Sequence, residues 1–409
     1  MITKRARSWL RRGTTVVVAL VVFGLVVGTW VTASEFEDSL LRTVPEPPSY
    51  DVEVTAVTAS TVTLSRGPDS ARPGVWGLEW ETGYARVGAV LRVDEDGVTR
   101  TLQEVRGELR PGTRAAFDRF AFDSTPASLG LAFTEVAFEG PLGDYPAWFV
   151  DGRDDTWVVF VHGREATRRE ALRALGTVAG MGFPALVIAY RSDPVAPGEP
   201  GARSGLGRAE WPDLEAAVEF AVASGAADVV LMGYGTGATA AAMLTHESDW
   251  SVRVAGLVFD APVLDAGALA DRVADRRRVP GFVVAMAKGL AGLRFGIDWG
   301  RIDQVRRAEE FEVPILLFHG DADEQVPVET SDAFAASLPD LVTYERVAGG
   351  TAGASWNAGP DRYADALTAF LTDVALGPSD LQPADEVEGI LENVPGAPEG
   401  PPPAVRPTR

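Results

Sequence analysis

The longest apolar run in the chain covers residues 14–33 (TTVVVALVVFGLVVGTWVTA), which carry no charge. It is about the length a helix needs to cross a bilayer. Basic residues precede it and Glu35, Glu37 and Asp38 follow, so the positive-inside bias predicts a cytoplasmic N-terminus and an extracytoplasmic main domain. A cleaved signal peptide ending near Val31-Thr32-Ala33 is the alternative, although the apolar run exceeds the usual signal core. Residues 51–64, 75–93 and 98–105 are rich in β-branched residues with partial alternation, and Gly/Pro pairs punctuate them. They predict a small β-rich subdomain that packs on the rest as a spacer.

From residue 131 the pattern changes to short apolar runs alternating with amphipathic segments, as in a mostly parallel sheet covered on both faces. Strands are expected at 133–138, 147–150, 157–161, 185–189, 229–232, 254–259, 315–318 and 341–347. A helix is expected at 211–223, with Leu214, Val218 and Ala221 on one face. Residues 279–295 are apolar and Gly-rich; they read as cap helices, with a mobile lining of a hydrophobic cleft as the sharper alternative. The tail at 377–409 holds eight of the 28 prolines and little apolar material, which predicts disorder with at most a helical turn near 386–391. The resulting organisation is a basic cytoplasmic segment at 1–13, a transmembrane helix at 14–33 and a linker with the β-rich subdomain at 34–125. An α/β domain follows at 131–376, with a cap at about 264–305, and the tail completes the chain.

Composition narrows the chemistry. The net charge is −21 and the part after residue 13 carries about −26, which argues against nucleic-acid binding. The chain has no cysteine, so disulfides, thiolate metal sites and a cysteine nucleophile are excluded. No cofactor or metal is expected. Membrane contact through the N-terminal helix is expected, and a small-molecule, acyl or peptide ligand is compatible with the cap.

Three segments at expected strand ends carry a resemblance. His162-Gly163 follows the third strand, Gly233-Tyr234-Gly235-Thr236-Gly237 follows the fifth, and His319-Gly320-Asp321-Ala322-Asp323 with Glu324-Gln325-Val326-Pro327 follows the seventh. In this order the chain resembles the α/β-hydrolase superfamily, in its serine aminopeptidase-like and lipase-like branch. Asp260-Ala261-Pro262 and Ser355-Trp356-Asn357 are similar to segments of bacterial members with an N-terminal membrane segment. The resemblance implies a mostly parallel eight-stranded sheet flanked by helices, and a Ser-His-Asp triad.

Two triad positions lack their side chain. Gly233 and Gly237 keep the frame of the nucleophile elbow, but Gly235 stands where the family carries serine. A slip to Thr236 would put Tyr234 where the turn needs a small residue and force a β-branched residue into a strained conformation. Asp323 matches the acid, with Asp321 the lesser candidate; without a histidine to orient, Asp323 is expected to hold loop backbone. Ala352 falls at the histidine, and none of the three histidines follows Asp323. His162 is expected to be structural, His246 a surface residue and His319 a loop brace. The resemblance assigns the oxyanion hole to the backbone N–H groups of Arg164 and Thr236. Glu165 is electrostatically wrong beside an oxyanion, and the Arg164, Glu165, Arg168 and Arg169 cluster is expected to be a solvated loop. Two functions follow as expectations: a non-catalytic, membrane-anchored binding or scaffolding protein, or an esterase, lipase or peptidase with an unrecognised nucleophile.

Overall fold

The computed structural model describes residues 4–43, 47–191, 193–198 and 203–376. Helix α1 (Lys4–Phe36) contains the apolar run, and among the described residues it belongs to the one helix long and apolar enough to cross a membrane. Its middle is apolar around the whole circumference: Leu20, Phe23 and Val26 are all more than half exposed. That is the surface of a helix solvated by something other than its own protein. The linker expected from residue 34 is not a linker at its start. The helix continues through Glu35 to Phe36 and on through a π-helical turn at Glu37–Leu41. Ala33, Phe36, Leu40 and Leu41 bury themselves in a protein core. The acids that suggested a break face cations instead: Glu35 binds Arg277 at 2.6 Å, and Glu37 binds Arg203 and Arg294.

Six strands then close into a barrel: β1 (Val52–Val57), β2 (Thr61–Leu64), β3 (Trp76–Trp80), β4 (Gly83–Asp94), β5 (Gly97–Arg106) and β6 (Arg114–Asp118), ordered β1-β2-β5-β4-β3-β6. Closure leaves no free edge, and Val54, Leu64, Leu78, Ala85 and Val87 fill the interior. The run at 75–93 is two strands joined by a tight turn. Arg100, fully buried, donates to the carbonyl oxygens of Ser70 (3.1 Å), Arg72 (2.6 Å), Gly74 (2.7 Å) and Gly88 (2.7 Å). Burial pushes its guanidinium down to about 10.

The α/β-hydrolase fold follows. Its strands are β7 (Thr134–Gly140), β8 (Gly143–Val150), β9 (Thr156–Val161), β10 (Ala185–Ile188), β11 (Asp228–Tyr234), β12 (Val254–Asp260), β13 (Ile315–Gly320) and β14 (Val342–Val347). They lie in the order β14-β13-β12-β11-β9-β10-β8-β7, with β8 antiparallel to both neighbours and the others parallel from β10 to β14. All eight expected strands are present, because near-continuous apolar runs are what a doubly covered sheet requires. Helices α2 (Leu172–Met181), α3 (Trp211–Ala223) and α4 (Thr236–Glu247) pack on the sheet. Leu172, Leu175 and Val178 of α2 join one core, and Leu214, Val218 and Ala221 of α3 join the other.

The cap region forms α5 (Ala266–Arg276) and α6 (Gly281–Phe295), continuous helices where Gly-rich mobility was the sharper expectation. Their cores include Ala270, Ala287 and Ala291, packed with Ala33 and Phe36 of α1. Helices α7 (Val328–Ser337), α8 (Ser355–Ala358) and α9 (Pro360–Leu376) complete the chain's regular structure among the described residues. The tail expected at 377–409, with its turn near 386–391, lies outside them.

Candidate functional site

The turn between β11 and α4 has the geometry of a nucleophile elbow. Gly235 sits at φ 52° and ψ −114° as the N-cap of α4, a conformation that strains any residue with a side chain. A Cβ on Gly233 would fall on the Ala238 backbone, and one on Gly237 would meet the carbonyl oxygens of Val161 and His162. These two glycines let strand and helix approach closely. Gly235 differs: a Cβ there would meet only Gly163 Cα, at 3.8 Å. The position where the resemblance expects a nucleophile is open space with no oxygen in it. Thr236 is buried in the first turn of α4.

The oxyanion loop after β9 is held from below. His162 is buried, with Nδ1 2.8 Å from the Gly163 carbonyl, Nε2 3.0 Å from Asp193 Oδ2, and its ring stacked on Tyr190. Burial works against the Asp193 charge, yet the His162 hydrogen bond holds its carboxyl below the usual range. The Gly163 N–H donates to Glu170 at 2.7 Å, and buried Arg173 links Glu170 (3.3 Å) to the Gly353 carbonyl (2.5 Å) and Asn357 Oδ1 (3.3 Å). A buried ion pair therefore ties this loop to the loop after β14, which carries Ala352.

Asp323 lies in the loop after β13 and is buried. Its Oδ1 accepts from the backbone N–H groups of Gln325 (2.7 Å) and Val326 (2.8 Å), which is the backbone-holding arrangement expected of it. Among the described residues its Oδ2 has no hydrogen-bond partner, and it lies 3.5 Å from His319 Nε2, itself without one there. His319 Nδ1 is 2.7 Å from the Ser331 hydroxyl. Asp321, outside this arrangement, accepts from the Gly349 N–H at 2.7 Å.

The loop with Ala352 is docked against the barrel. Asn357 donates to the carbonyl oxygens of Val75 (2.7 Å) and Arg119 (2.9 Å), and its own carbonyl accepts from the Val75 N–H at 2.9 Å. Ala354 enters the barrel core. Trp356 packs on Phe122. A Cβ on Gly353 would stand 3.9 Å from the Arg119 guanidinium carbon, so the barrel sets a cation beside the residue next to Ala352.

Two expectations are corrected. His246 is not a surface residue: its side chain is 1% exposed, lies edge-on to Phe311 and is 3.1 Å from Gln304 Oε1. Polar neighbours in the sequence suggested exposure, but the Phe311 loop folds over the ring. Nor is the arginine cluster after Gly163 a solvated loop. Arg168 binds Glu135 at 2.6 Å over the Trp148 ring, and Arg169 binds Asp118 of the barrel at 2.5 Å. Both turn away from Glu165, which keeps Arg164 at 3.4 Å and Arg42 at 4.0 Å.

Beside the elbow opens a cleft of about 740 Å³. Arg164 and Glu165 line it after Gly163, as does Val263, whose N–H donates to the Gly235 carbonyl at 3.1 Å. Six arginines line it: Arg42, Arg119, Arg164, Arg272, Arg276 and Arg277. Only three acids do, Glu35, Asp38 and Glu165. Burial lowers the affinity of the Arg164 guanidinium for its proton, Glu165 opposes this, and Arg119 and Arg42 add to the lowering. No local pattern announces this cluster, since its members come from the turn after α1, the end of the barrel, the loop after β9 and the cap. Among the described residues no group of metal-ligating side chains is assembled.

A domain of unknown function (DUF8805) matches residues 53–118, the barrel. No curated protein matches the chain. Solved structures similar to it include an esterase of Pyrococcus furiosus, 17% identical, covering 61% of this chain and 94% of its own, with a TM-score of 0.49. An esterase of Thermogutta terrifontis is 18% identical, covers 60% of this chain and 99% of its own, and has a TM-score of 0.43. A serine hydrolase without a lid from Xanthomonas campestris is 16% identical over 59% of this chain and 94% of its own, with a TM-score of 0.43.

Proposed function

We propose that this chain is a single-pass, membrane-anchored protein that uses an α/β-hydrolase fold to bind rather than to hydrolyse. In this reading the N-terminus is cytoplasmic, the barrel and sheet domains lie outside, and Asp323 is a remnant acid. The observation that carries it is the elbow: Gly235 occupies the nucleophile position with open space where a hydroxyl would be, and no histidine follows Asp323 in the chain. Loss of nucleophile or base alone costs on the order of 10⁶ in turnover, because triad members act as a unit. What remains from binding and backbone donors is roughly 10³ to 10⁴ over water. A fluorophosphonate probe tests this directly. Purified protein is expected to stay unlabelled, whereas labelling that disappears on boiling would reveal an unrecognised nucleophile. The double variant Gly235→Ser, Ala352→His extends the test. Gain of p-nitrophenyl ester hydrolysis would mean that Asp323 and the oxyanion positions at Arg164 and Thr236 still form a working frame.

A further inference from the structure

The cleft beside the elbow is unusual in the chemistry it gathers. In a chain of net charge −21, six arginines face three acids around one cavity. The acids do not use up the cations. Glu35 is engaged by Arg277, and Glu165 by Arg164, while Asp38 is exposed at the rim. Arg272 reaches outward to Glu329 at 2.9 Å. Arg276 donates to the Glu324 carbonyl, and Arg119 lies against the Phe120 ring; neither pairs with a carboxylate among the described residues. Like charges so assembled repel one another unless an anion enters. Guanidinium forks match phosphate oxygens in geometry.

Apolar side chains share the lining: Phe120, Val263, Leu269, Val273 and Val326. The volume suits a ligand of small-molecule size. Position adds a further constraint. Glu35, Asp38, Ser39 and Arg42 line the cleft, so its mouth begins within about two helical turns of the apolar run, roughly 10 Å along the axis. That is the depth of lipid headgroups if α1 spans a bilayer.

We propose that this cleft binds a phosphate-bearing ligand of net negative charge, its phosphate held by Arg119 and Arg276 and its apolar portion resting on Val263 and Leu269. The ligand is presented by a membrane lipid or free in solution. The inference rests on the reading of the fold as a binding protein, since it places a ligand where a substrate would lie.

The test uses the full chain in neutral detergent, titrated with dihexanoyl phosphatidate, inorganic phosphate and dihexanoyl phosphatidylcholine. Saturable binding of phosphatidate is expected, weakening with added salt and falling about tenfold or more in Arg119→Gln and in Arg276→Gln. Arg66→Gln, in the loop after β2 and outside the cleft lining, should leave it unchanged. Competition by inorganic phosphate identifies free phosphate as sufficient; saturation by phosphatidate alone identifies the lipid headgroup with its chains. Saturation by neither phosphatidate nor inorganic phosphate, equal binding of the zwitterionic phosphatidylcholine, or unchanged affinity in both variants overturns the proposal. Arg276 is exposed, so its variant reports even where Arg119→Gln disturbs the barrel contact. Fluorophosphonate labelling with anion binding intact would sink the non-catalytic reading and leave the cleft standing. No labelling with no binding does the reverse.

Discussion

His246 shows how a single burial event becomes a pH dependence. Burial disfavours its imidazolium, Arg307 adds to the effect, and Glu310, Gln304 and Glu247 oppose it, leaving the group lowered to about 4. An unfolded histidine titrates near 6.5. The unfolded chain therefore binds the extra proton between these values, and stability falls as pH falls. The contribution is present in full above about pH 6.5 and is lost progressively towards pH 4, with a size of about 3 kcal/mol. His246→Phe keeps the contact with Phe311 but cannot titrate. The difference in midpoint between the wild type and this variant in urea melts should shift in favour of the variant as pH drops from 7 to 4. A constant difference across that range would show that His246 binds its proton equally in the folded and unfolded states. Gly235 makes the complementary point about strain: its φ of 52° costs little for glycine but about 1–3 kcal/mol for serine, so a hydrolase pays for its nucleophile with stability that this chain retains.

Between elements, the contact that matters most is that of the barrel with the β14–α8 loop. Gly74, at φ 96°, has no room for a Cβ because the Asn357 carbonyl occupies the place. Asn357 in turn bridges Val75, Arg119 and Arg173. Asn357→Ala removes three hydrogen bonds at a buried position and should cost about 2–4 kcal/mol. Calorimetry is expected to resolve a barrel transition below that of the sheet domain; one transition at a lower temperature would mean that the two remain a single cooperative unit. The Ser355-Trp356-Asn357 segment was visible in the sequence as a resemblance, but its work here is docking, and that was not visible. Local pattern reached the eight strands and α3, whose span of Trp211–Ala223 follows from its 3.6-residue period. It missed the continuation of α1 to Leu41 because Glu35 and Glu37 find their cations on distant elements. It missed the arginine cleft for the same reason, as guanidiniums drawn from Arg42, Arg119, Arg164 and the cap leave no regular spacing to recognise.

For the whole molecule the proposed anchoring turns on which side of a membrane would hold the cleft. The apolar circumference of α1 ends where its last turns enter the core with α5 and α6, and Arg294 stacks on Trp30 at 4.4 Å to link the two surfaces. Val283 of α6 comes within 3.9 Å of where a Cβ on Gly28 would be, still inside the apolar run. The folded domain is thus seated directly on the end of the helix, and its orientation follows from that of α1. Basic residues at 4–12 favour the cytoplasm, so the cleft should open to the outer leaflet. The absence of cysteine makes this easy to measure, since any introduced thiol is unique. Asp144, exposed at the start of β8, can be changed to Cys, and Ser8 likewise in the basic segment. In intact bacterial cells a membrane-impermeant maleimide is expected to label Asp144→Cys, and Ser8→Cys only after permeabilisation. The reversed pattern would place the arginines on the cytoplasmic face, where inner-leaflet anionic lipids and soluble phosphate esters are their neighbours. Recovery of labelled Asp144→Cys from the medium, with Ser8→Cys lost from the mature chain, would identify cleavage and remove the membrane from the ligand's route altogether.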